Sequence, residues 1–242
     1  MSAALVVVTA VAPETRAVLR CLARPTRIEL PGFRAWRGTA GARSVTLVQS
    51  GIGPERARTA LTALSGSYAM VISAGFAGAL VDDAAPGDVV LPERVVWKAA
   101  AENASYTVPV AAWRASYAAL PPRVAARALR GTMLSSAVVI ASIAAKREAA
   151  TCFRAFAVEM EAAGLIAAAR EREVGVLAVR SILDTADVSL EGLPANLDSS
   201  WAARARLIGM PHVWPRVAAV ARHVPHAAHA LAEAVGAVLR AV

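Results

Sequence analysis

The order of apolar and polar positions along the chain predicts strands that alternate with helices. Uninterrupted aliphatic runs at Leu5 to Val8 and at Ala69 to Ser73 are typical of strands covered on both faces. Apolar and polar residues alternate from Arg43 to Gln49, which predicts a third strand. Helical patterns follow at Pro13 and from Glu55 to Leu64. The whole pattern predicts a single α/β domain with a mainly parallel, twisted central sheet flanked by helices.

The second half of the chain continues this alternation and then changes character. Strands are predicted on either side of Pro92 and from Gly131 to Ile140, and a helix from Ala144 to Phe153. Amphipathic helical patterns finish the chain. We therefore expect residues 1–192 to form the α/β domain and residues 193–242 to form a helical carboxyl-terminal extension packed on it.

The segment from Phe156 to Asp187 has the pattern of a βαβ unit, in which two apolar runs flank an alanine-rich helical run. Each apolar run ends in charged residues, which are Glu159 and Glu161 after the first run and Arg180 and Asp184 after the second. A right-handed crossover between parallel strands would end both strands at the same edge of the sheet. Open α/β sheets place their ligand sites at that edge, so we expect Glu161 and Asp184 to meet there.

A second interpretation of the same residues needs no ligand. Glu159 and Glu161 suit the first turn of a helix, where the helix dipole favours negative charge. Asp184 and Asp187 would then simply belong to a polar loop. The residue pattern alone leaves both interpretations open.

Two glycine-containing loops are predicted after strands. The first is Ser50-Gly51-Ile52-Gly53-Pro54, and the second is Ala74-Gly75-Phe76-Ala77-Gly78. Such loops let backbone amides approach an anion or a sugar closely, although the second also fits a tight turn that packs Phe76 into the core. A dinucleotide fingerprint would need a third small residue where Arg56 stands, followed by an acid about 20 residues on. Neither is present, and we expect no cofactor.

Composition narrows the classes of partner. The net charge is +8, but 24 of the 26 basic residues are arginines scattered along the chain, since only Lys98 and Lys146 are lysines. This scatter of the arginines argues against a nucleic-acid-binding stripe.

The cysteines and histidines bear on compartment and metal binding. The two cysteines have no metal-ligand spacing and indicate a reduced, cytoplasmic compartment. No apolar run has the roughly 20 residues that span a bilayer. The four histidines, all near the carboxyl terminus, lack accompanying carboxylates, so we expect no metal site.

Four blocks of sequence resemble the superfamily of purine nucleoside phosphorylases and 5′-methylthioadenosine/S-adenosylhomocysteine nucleosidases. They are the strand that ends near Glu14, the Ser50-Gly-Ile-Gly53 loop, Ile72 to Gly78 with Gly87-Asp88-Val-Val90, and Val158-Glu-Met-Glu-Ala162 with Val179 to Asp187. The blocks occur in the family's order. The carboxyl-terminal tail is most similar to the hopanoid-associated phosphorylase branch, for which the resemblance implies adenosylhopane as substrate.

The resemblance implies a role for each matching residue. Asp184 corresponds to the acid that protonates purine N7, and Glu14 to the carboxylate that activates water. Glu161 would hold the ribose hydroxyls, Met160 would line the face of the sugar, and Glu159 with Arg180 would lie beside the nucleophile. The backbone of the two loops would contribute the remaining substrate contacts, at Ser50, Gly51, Gly75, Phe76, Ala77 and Gly78. This division suits glycosidic cleavage, in which an oxocarbenium-like sugar and a purine anion develop.

Two departures from the family bear on the acceptor and on the general acid. Phe76 occupies a position where relatives commonly carry Ser or Thr, and Leu183 replaces a Ser that often precedes the catalytic Asp. The first departure favours water over phosphate as the acceptor, with Arg16, Arg43 and Arg180 left as candidate anion ligands. The alternatives are phosphorolysis of the same bond and a non-catalytic nucleoside-binding protein.

Two further expectations concern surfaces. The resemblance implies a homo-oligomer in which a neighbouring subunit completes the pocket, with apolar surface candidates in residues 98 to 120. The tail interleaves apolar and basic residues after Asp198, which predicts contact with a membrane surface. Its hydrophobic members are Trp201, Trp214, Leu231 and Val238, and its basic members are Arg204, Arg206, Arg216, Arg222 and Arg240. A helix that packs its Ala and Leu face on the domain explains the same pattern.

Overall fold

The computed structural model describes residues 4–98, 103–192 and 214–242. The strands in these ranges are β1 (Leu5–Thr9), β2 (Ala23–Ile28), β3 (Arg34–Ala40), β4 (Arg43–Gln49), β5 (Met70–Ala79), β6 (Val89–Val90), β7 (Arg94–Lys98), β8 (Asn103–Thr107), β9 (Thr132–Ser135), β10 (Ala157–Glu159) and β11 (Gly175–Asp184). The helices are α1 (Ala12–Leu19), α2 (Pro54–Thr62), α3 (Val110–Ala119), α4 (Pro122–Ala125), α5 (Ile143–Phe153), α6 (Ala162–Arg170), α7 (Trp214–Ala221) and α8 (Val224–Ala241).

One mixed sheet forms the centre of the molecule, in the order β2-β3-β4-β1-β5-β10-β9-β7-β8. Outside this order, β11 pairs with β5, and β6 pairs with β11. The strands β4, β1, β5 and β11 are mutually parallel. Helices cover both faces: Val18 and Leu231 belong to the apolar cluster on one face, and Leu61 and Leu165 to the cluster on the other. The predicted α/β domain with a mainly parallel sheet is therefore confirmed.

The relation between β10 and β11 differs from the predicted βαβ pair. The two strands are not neighbours, because β5 lies between them. β11 runs parallel to β5 along one edge, whereas β10 runs antiparallel to the last residues of β5 on the other edge. The reason is the length of β5: its pairing with β1 stops at Ser73, and its edge beyond that point is open to β10.

The second predicted loop, Ala74 to Gly78, is part of β5. Its backbone stays in the sheet because β11 pairs with it as far as Gly78. The small residues still allow close approach, as predicted, but what approaches Gly75 and Gly78 is two of the protein's own carboxylates.

The carboxyl-terminal helix α8 is part of the core. Leu231, Val235 and Val238 are fully buried, and the helix packs against α1, α3 and β11. This confirms the packing interpretation for α8 and leaves Leu231 and Val238 unavailable to a membrane. Trp201, Arg204 and Arg206 lie outside the described residues. Within the described ranges, no helix is long and apolar enough to cross a bilayer.

Candidate active site

A cavity of about 450 Å³ opens beside the carboxyl ends of β1, β10 and β11. The charged residues that line it are Glu14, Lys146, Glu159, Glu161 and Asp184. Most of the other described lining residues are apolar, among them Ile52, Phe76, Val138, Val139, Ile140, Met160, Leu190, Val217, Val220 and Val224. A few charged groups in an apolar wall are typical of small-molecule sites, and the volume lies in their usual range.

Glu14 is held by three backbone amides. It lies in the first turn of α1, and its Oε2 accepts hydrogen bonds from the N–H groups of Ala10 (2.8 Å) and Val11 (2.9 Å). Its Oε1 accepts from Phe76 N–H at 2.8 Å. Burial raises the pKa of Glu14 against the lowering effect of these amides and of Arg180. Since a carboxylate has about four acceptor positions, one remains for a water molecule.

Glu159 and Arg180 form a buried ion pair next to the cavity. Glu159 also accepts from the backbone N–H groups of Glu161 and Ala162, which caps the start of α6. Arg180 donates its Nη2 to Ser73 Oγ at 2.7 Å and contributes no lining to the cavity. With its acceptors occupied, Glu159 is suited to holding Glu161 and Arg180 in place.

Glu161 lines the cavity, and its carboxyl group accepts a hydrogen bond from one backbone amide. Its Oε1 accepts from Gly53 N–H at 3.0 Å, and its Oε2 lies 3.9 Å from Arg180 Nη2. Burial, followed by the negative charge of Glu159, raises the pKa of Glu161 to about 8. The predicted glycine loop therefore does offer a backbone amide to a carboxyl group, and that group belongs to Glu161.

Asp184 lies at the end of β11 and is held by a residue that the sequence analysis missed. Its Oδ2 accepts from Lys146 Nζ at 2.5 Å. A Cβ atom on Gly78 would lie 3.0 Å from the same oxygen, so a larger residue there would press on the carboxyl group. Burial raises the pKa of Asp184, and the Lys146 ammonium opposes that rise.

Lys146 emerges from α5 and is only 1% exposed. A sequence signal for it existed: 24 of the 26 basic residues are arginines, so a lysine in this chain is unusual and worth examining. The contact itself was not predictable, because it depends on how α5 packs beside the residues that follow β11.

Eight of the predicted site residues line the cavity, namely Glu14, Phe76, Ala77, Gly78, Glu159, Met160, Glu161 and Asp184. Four lie behind it. Arg180 pairs with Glu159, Gly75 backs Glu14, Ser50 Oγ donates to Thr9 and Gly51 backbone oxygens, and Gly51 lies against Arg56. Direct substrate contact by any of the twelve remains a prediction.

The arrangement combines the groups that glycosidic cleavage needs. Asp184 is a buried acid whose pKa burial raises, as suits a proton donor. Glu14 has a free acceptor position for a nucleophilic water, and Glu161 presents its carboxyl oxygens to the cavity, where a diol can donate to them. Fold and site together define an α/β protein with a carboxylate-rich small-molecule cavity at the strand ends.

The family follows from comparison. A family model described as "Phosphorylase superfamily" matches residues 4–210, which is most of the chain. The chain therefore belongs to this superfamily. Curated relatives match over a shorter stretch. The 5′-methylthioadenosine/S-adenosylhomocysteine nucleosidase of Shewanella pealeana is 31% identical over 91 residues, which cover 37% of this chain and 40% of that protein. The corresponding protein of Pseudoalteromonas translucida is 33% identical over 91 residues, covering 37% of this chain and 39% of its own length.

Solved structures match along nearly the whole length. The Neisseria meningitidis 5′-methylthioadenosine/S-adenosylhomocysteine nucleosidase, in complex with methylthio-immucillin-A, has a TM-score of 0.79 at 19% identity and covers 99% of both chains. Native futalosine hydrolase of Helicobacter pylori has a TM-score of 0.78 at 17% identity, covering 99% of this chain and 98% of its own. At these identities the likeness establishes the shared fold.

Proposed function

We propose that the protein is a nucleosidase that cleaves the N-glycosidic bond of an adenosine-type purine nucleoside with a modified 5′ position. The observation that carries the proposal is the convergence of Glu14, Glu161 and Asp184 on one cavity. Asp184 donates a proton to purine N7 as the bond breaks, Glu161 orients the ribose diol, and Glu14 activates the attacking water. Met160 lies along the sugar. Superfamily membership and the nucleosidases among the relatives support the proposal.

Water is the acceptor in this proposal because the site disfavours phosphate. Three carboxylates, Glu14, Glu159 and Glu161, stand close to Arg180, which Glu159 already engages. Among the described residues, none of the cavity lining is arginine, and the candidate anion ligand Arg16 is exposed to solvent. The two cations in or beside the described cavity, Arg180 and Lys146, are already engaged by Glu159 and Asp184, so a phosphate dianion would find little to compensate its charge.

The 5′ substituent is apolar in this proposal. Aliphatic side chains from three separate segments line this cavity. The segments are Val138 to Ile140, the loop at Leu190, and α7 with the start of α8, which contributes Val217, Val220 and Val224. A methylthio group suits such a wall, because burying apolar surface is favourable at about 25 cal/mol per Å². Adenosylhopane is the bulkiest candidate, and its ring system would have to extend beyond the 450 Å³ of the cavity.

The proposed enzyme uses no metal and no organic cofactor and acts in the cytoplasm as a homo-oligomer. Its reaction needs only proton transfers and an activated water, which Asp184 and Glu14 supply. Contact with a membrane surface would fall to α7 and the preceding tail, since α8 is packed into the core.

The test is incubation with a panel of adenosines that differ only at the 5′ position, each with and without phosphate. We expect adenine and a free sugar, at similar rates in both buffers, with faster turnover for methylthio and longer alkylthio groups than for a 5′ hydroxyl. A sugar 1-phosphate as the product would identify a phosphorylase. Binding without base release from every substrate would identify a non-catalytic nucleoside-binding protein.

A further inference from the structure

Lys146 has a buried environment that no role described so far requires. Its ammonium donates to three acceptors, which are Asp184 Oδ2 at 2.5 Å, Thr185 O at 2.8 Å and Val188 O at 3.0 Å. All three of its protons are therefore engaged. The contacts join α5 to the segment that follows β11 and fix the carboxyl group of Asp184 at the same time.

A buried ammonium is costly to place in a protein interior unless its partners compensate. Arginine, used at 24 of the 26 basic positions of this chain, presents a planar fork of five donors and does not match three acceptors around one nitrogen. The geometry at position 146 thus calls for lysine in particular. An apolar residue of similar length would fill the space without the cost of burying the charge, so the charge itself points to a task.

We propose that Lys146 is a positioning residue for the proposed cleavage, which holds Asp184 by Oδ2 so that Oδ1 faces the purine and stabilises the carboxylate left after proton transfer. In that step the O–H bond at Oδ1 breaks and an N7–H bond forms, while the electrons of the glycosidic bond pass to the purine. The carboxyl group becomes a carboxylate, and the Lys146 ammonium already lies against it. This inference rests on the proposed function.

Lys146 is also the charge that governs how Asp184 titrates. Burial raises the pKa of Asp184, and Lys146 is the charged group that lowers it. The other titratable groups nearby are Asp187 in the same loop, which is tied to Thr185, and the cavity carboxylates Glu14, Glu159 and Glu161. Activity that requires protonated Asp184 falls as the pH rises through its pKa. Removing the ammonium raises that pKa, so the basic limb of the pH profile moves to higher pH.

The experiment compares the wild type with Lys146→Met and Lys146→Gln, using adenine release from methylthioadenosine across a pH series. Arg147→Met removes the exposed basic residue next to Lys146 on α5 and serves as the matched control. We expect kcat to fall by about 10²-fold in both Lys146 variants, with KM little changed and the basic limb at higher pH. Arg147→Met should keep the wild-type rate and the wild-type position of the basic limb of the pH profile. The glutamine variant, which keeps a hydrogen-bond donor, maintains the test if methionine prevents folding.

A second readout is independent of turnover. The carboxyl carbon of Asp184, observed by ¹³C NMR, should titrate at higher pH in Lys146→Gln than in the wild type. The contrary result is a lower rate in the variant while the basic limb of the pH profile and the pH of the NMR titration both stay at their wild-type values. In that case Lys146 has only a structural role, and the inference is overturned. A wild type that releases no base would refute the proposed function instead, and the NMR titration would still decide whether Lys146 sets the state of Asp184.

Discussion

At the scale of single residues, Asp184 is the group on which the proposed proton transfer depends. Asp184→Asn keeps the size of the side chain but removes the transferable proton, so adenine release should fall by about 10²- to 10⁴-fold. Asp187→Asn is the matched control, because Asp187 is exposed three residues further along. Kinetics with a thermal melt of both variants checks this. Near-normal release by a folded Asp184→Asn protein would rule out the general-acid assignment.

Glu161 predicts how stability depends on pH. Its pKa is raised to about 8 in the folded protein, so between the unfolded value near 4.5 and 8 the native state binds a proton that the unfolded state releases. The free energy of unfolding therefore falls as the pH rises, by up to about 1.4 kcal/mol per pH unit from this group. Glu161→Gln removes the titration. Urea unfolding at several pH values should show the variant gaining stability relative to the wild type as the pH rises from 5 to 8, and a constant difference would contradict this.

The residues that sequence reasoning found share one property. Glu14, Glu161 and Asp184 follow strand ends, and strand ends are visible in the apolar pattern and in the family motifs. Lys146 sits inside a helix, where its role depends on tertiary packing. Gly53 was recognised as a loop glycine, but that its N–H binds Glu161, 108 residues away, follows only from the folded structure.

At the scale of elements, the contact between α2 and α6 supports the site. A Cβ atom on Gly164 would lie 1.9 Å from Pro54 O, so the two helices meet at a distance that only glycine permits. Pro54 follows Gly53, whose amide holds Glu161. The packing of α6 on α2 therefore sets the position of a carboxyl group that lines the cavity.

Gly164→Ala tests this link. Because the clash is with backbone, we expect a loss of about 1 to 3 kcal/mol in the free energy of unfolding together with weaker substrate binding. Gly236→Ala in α8 is the control, because the added Cβ atom would make ordinary contacts at 3.5 Å. This change should raise the free energy of unfolding by about 0.5 to 1 kcal/mol, since alanine favours a helix over glycine. Chemical denaturation with KM measurements compares them. Equal effects of the two changes would refute the close-packing argument.

The elements were predictable where the apolar pattern is strong. The strand Arg43–Gln49 has the predicted bounds, and β1 extends one residue beyond the prediction. The hairpin of β2 and β3 was missed because five of the six β2 residues are exposed at the edge of the sheet and give no alternation. The direction of β10 was wrong because it depends on how far β5 extends beyond β1, which no local pattern encodes.

At the scale of the whole molecule, the exposed apolar residues bear on assembly. Val138 and Val139 are 69% and 37% exposed at the cavity, and Val110 on α3 is 56% exposed. We expect light scattering to give a multiple of the 25.0 kDa chain mass. Val138→Asp and Val110→Asp, examined separately, should show which face is the interface, since a buried charge opposes association. A fully active monomer would refute the shared pocket.

The central claim is that this cavity breaks a glycosidic bond with water. The most direct measurement is the initial rate of adenine release from methylthioadenosine in phosphate-free buffer, for the wild type and for Glu14→Gln. We predict release by the wild type without phosphate and a loss of about 10²- to 10⁴-fold in the variant, because the amide cannot accept the proton of the attacking water. No release until phosphate is added, or an unchanged rate in Glu14→Gln, would contradict the account.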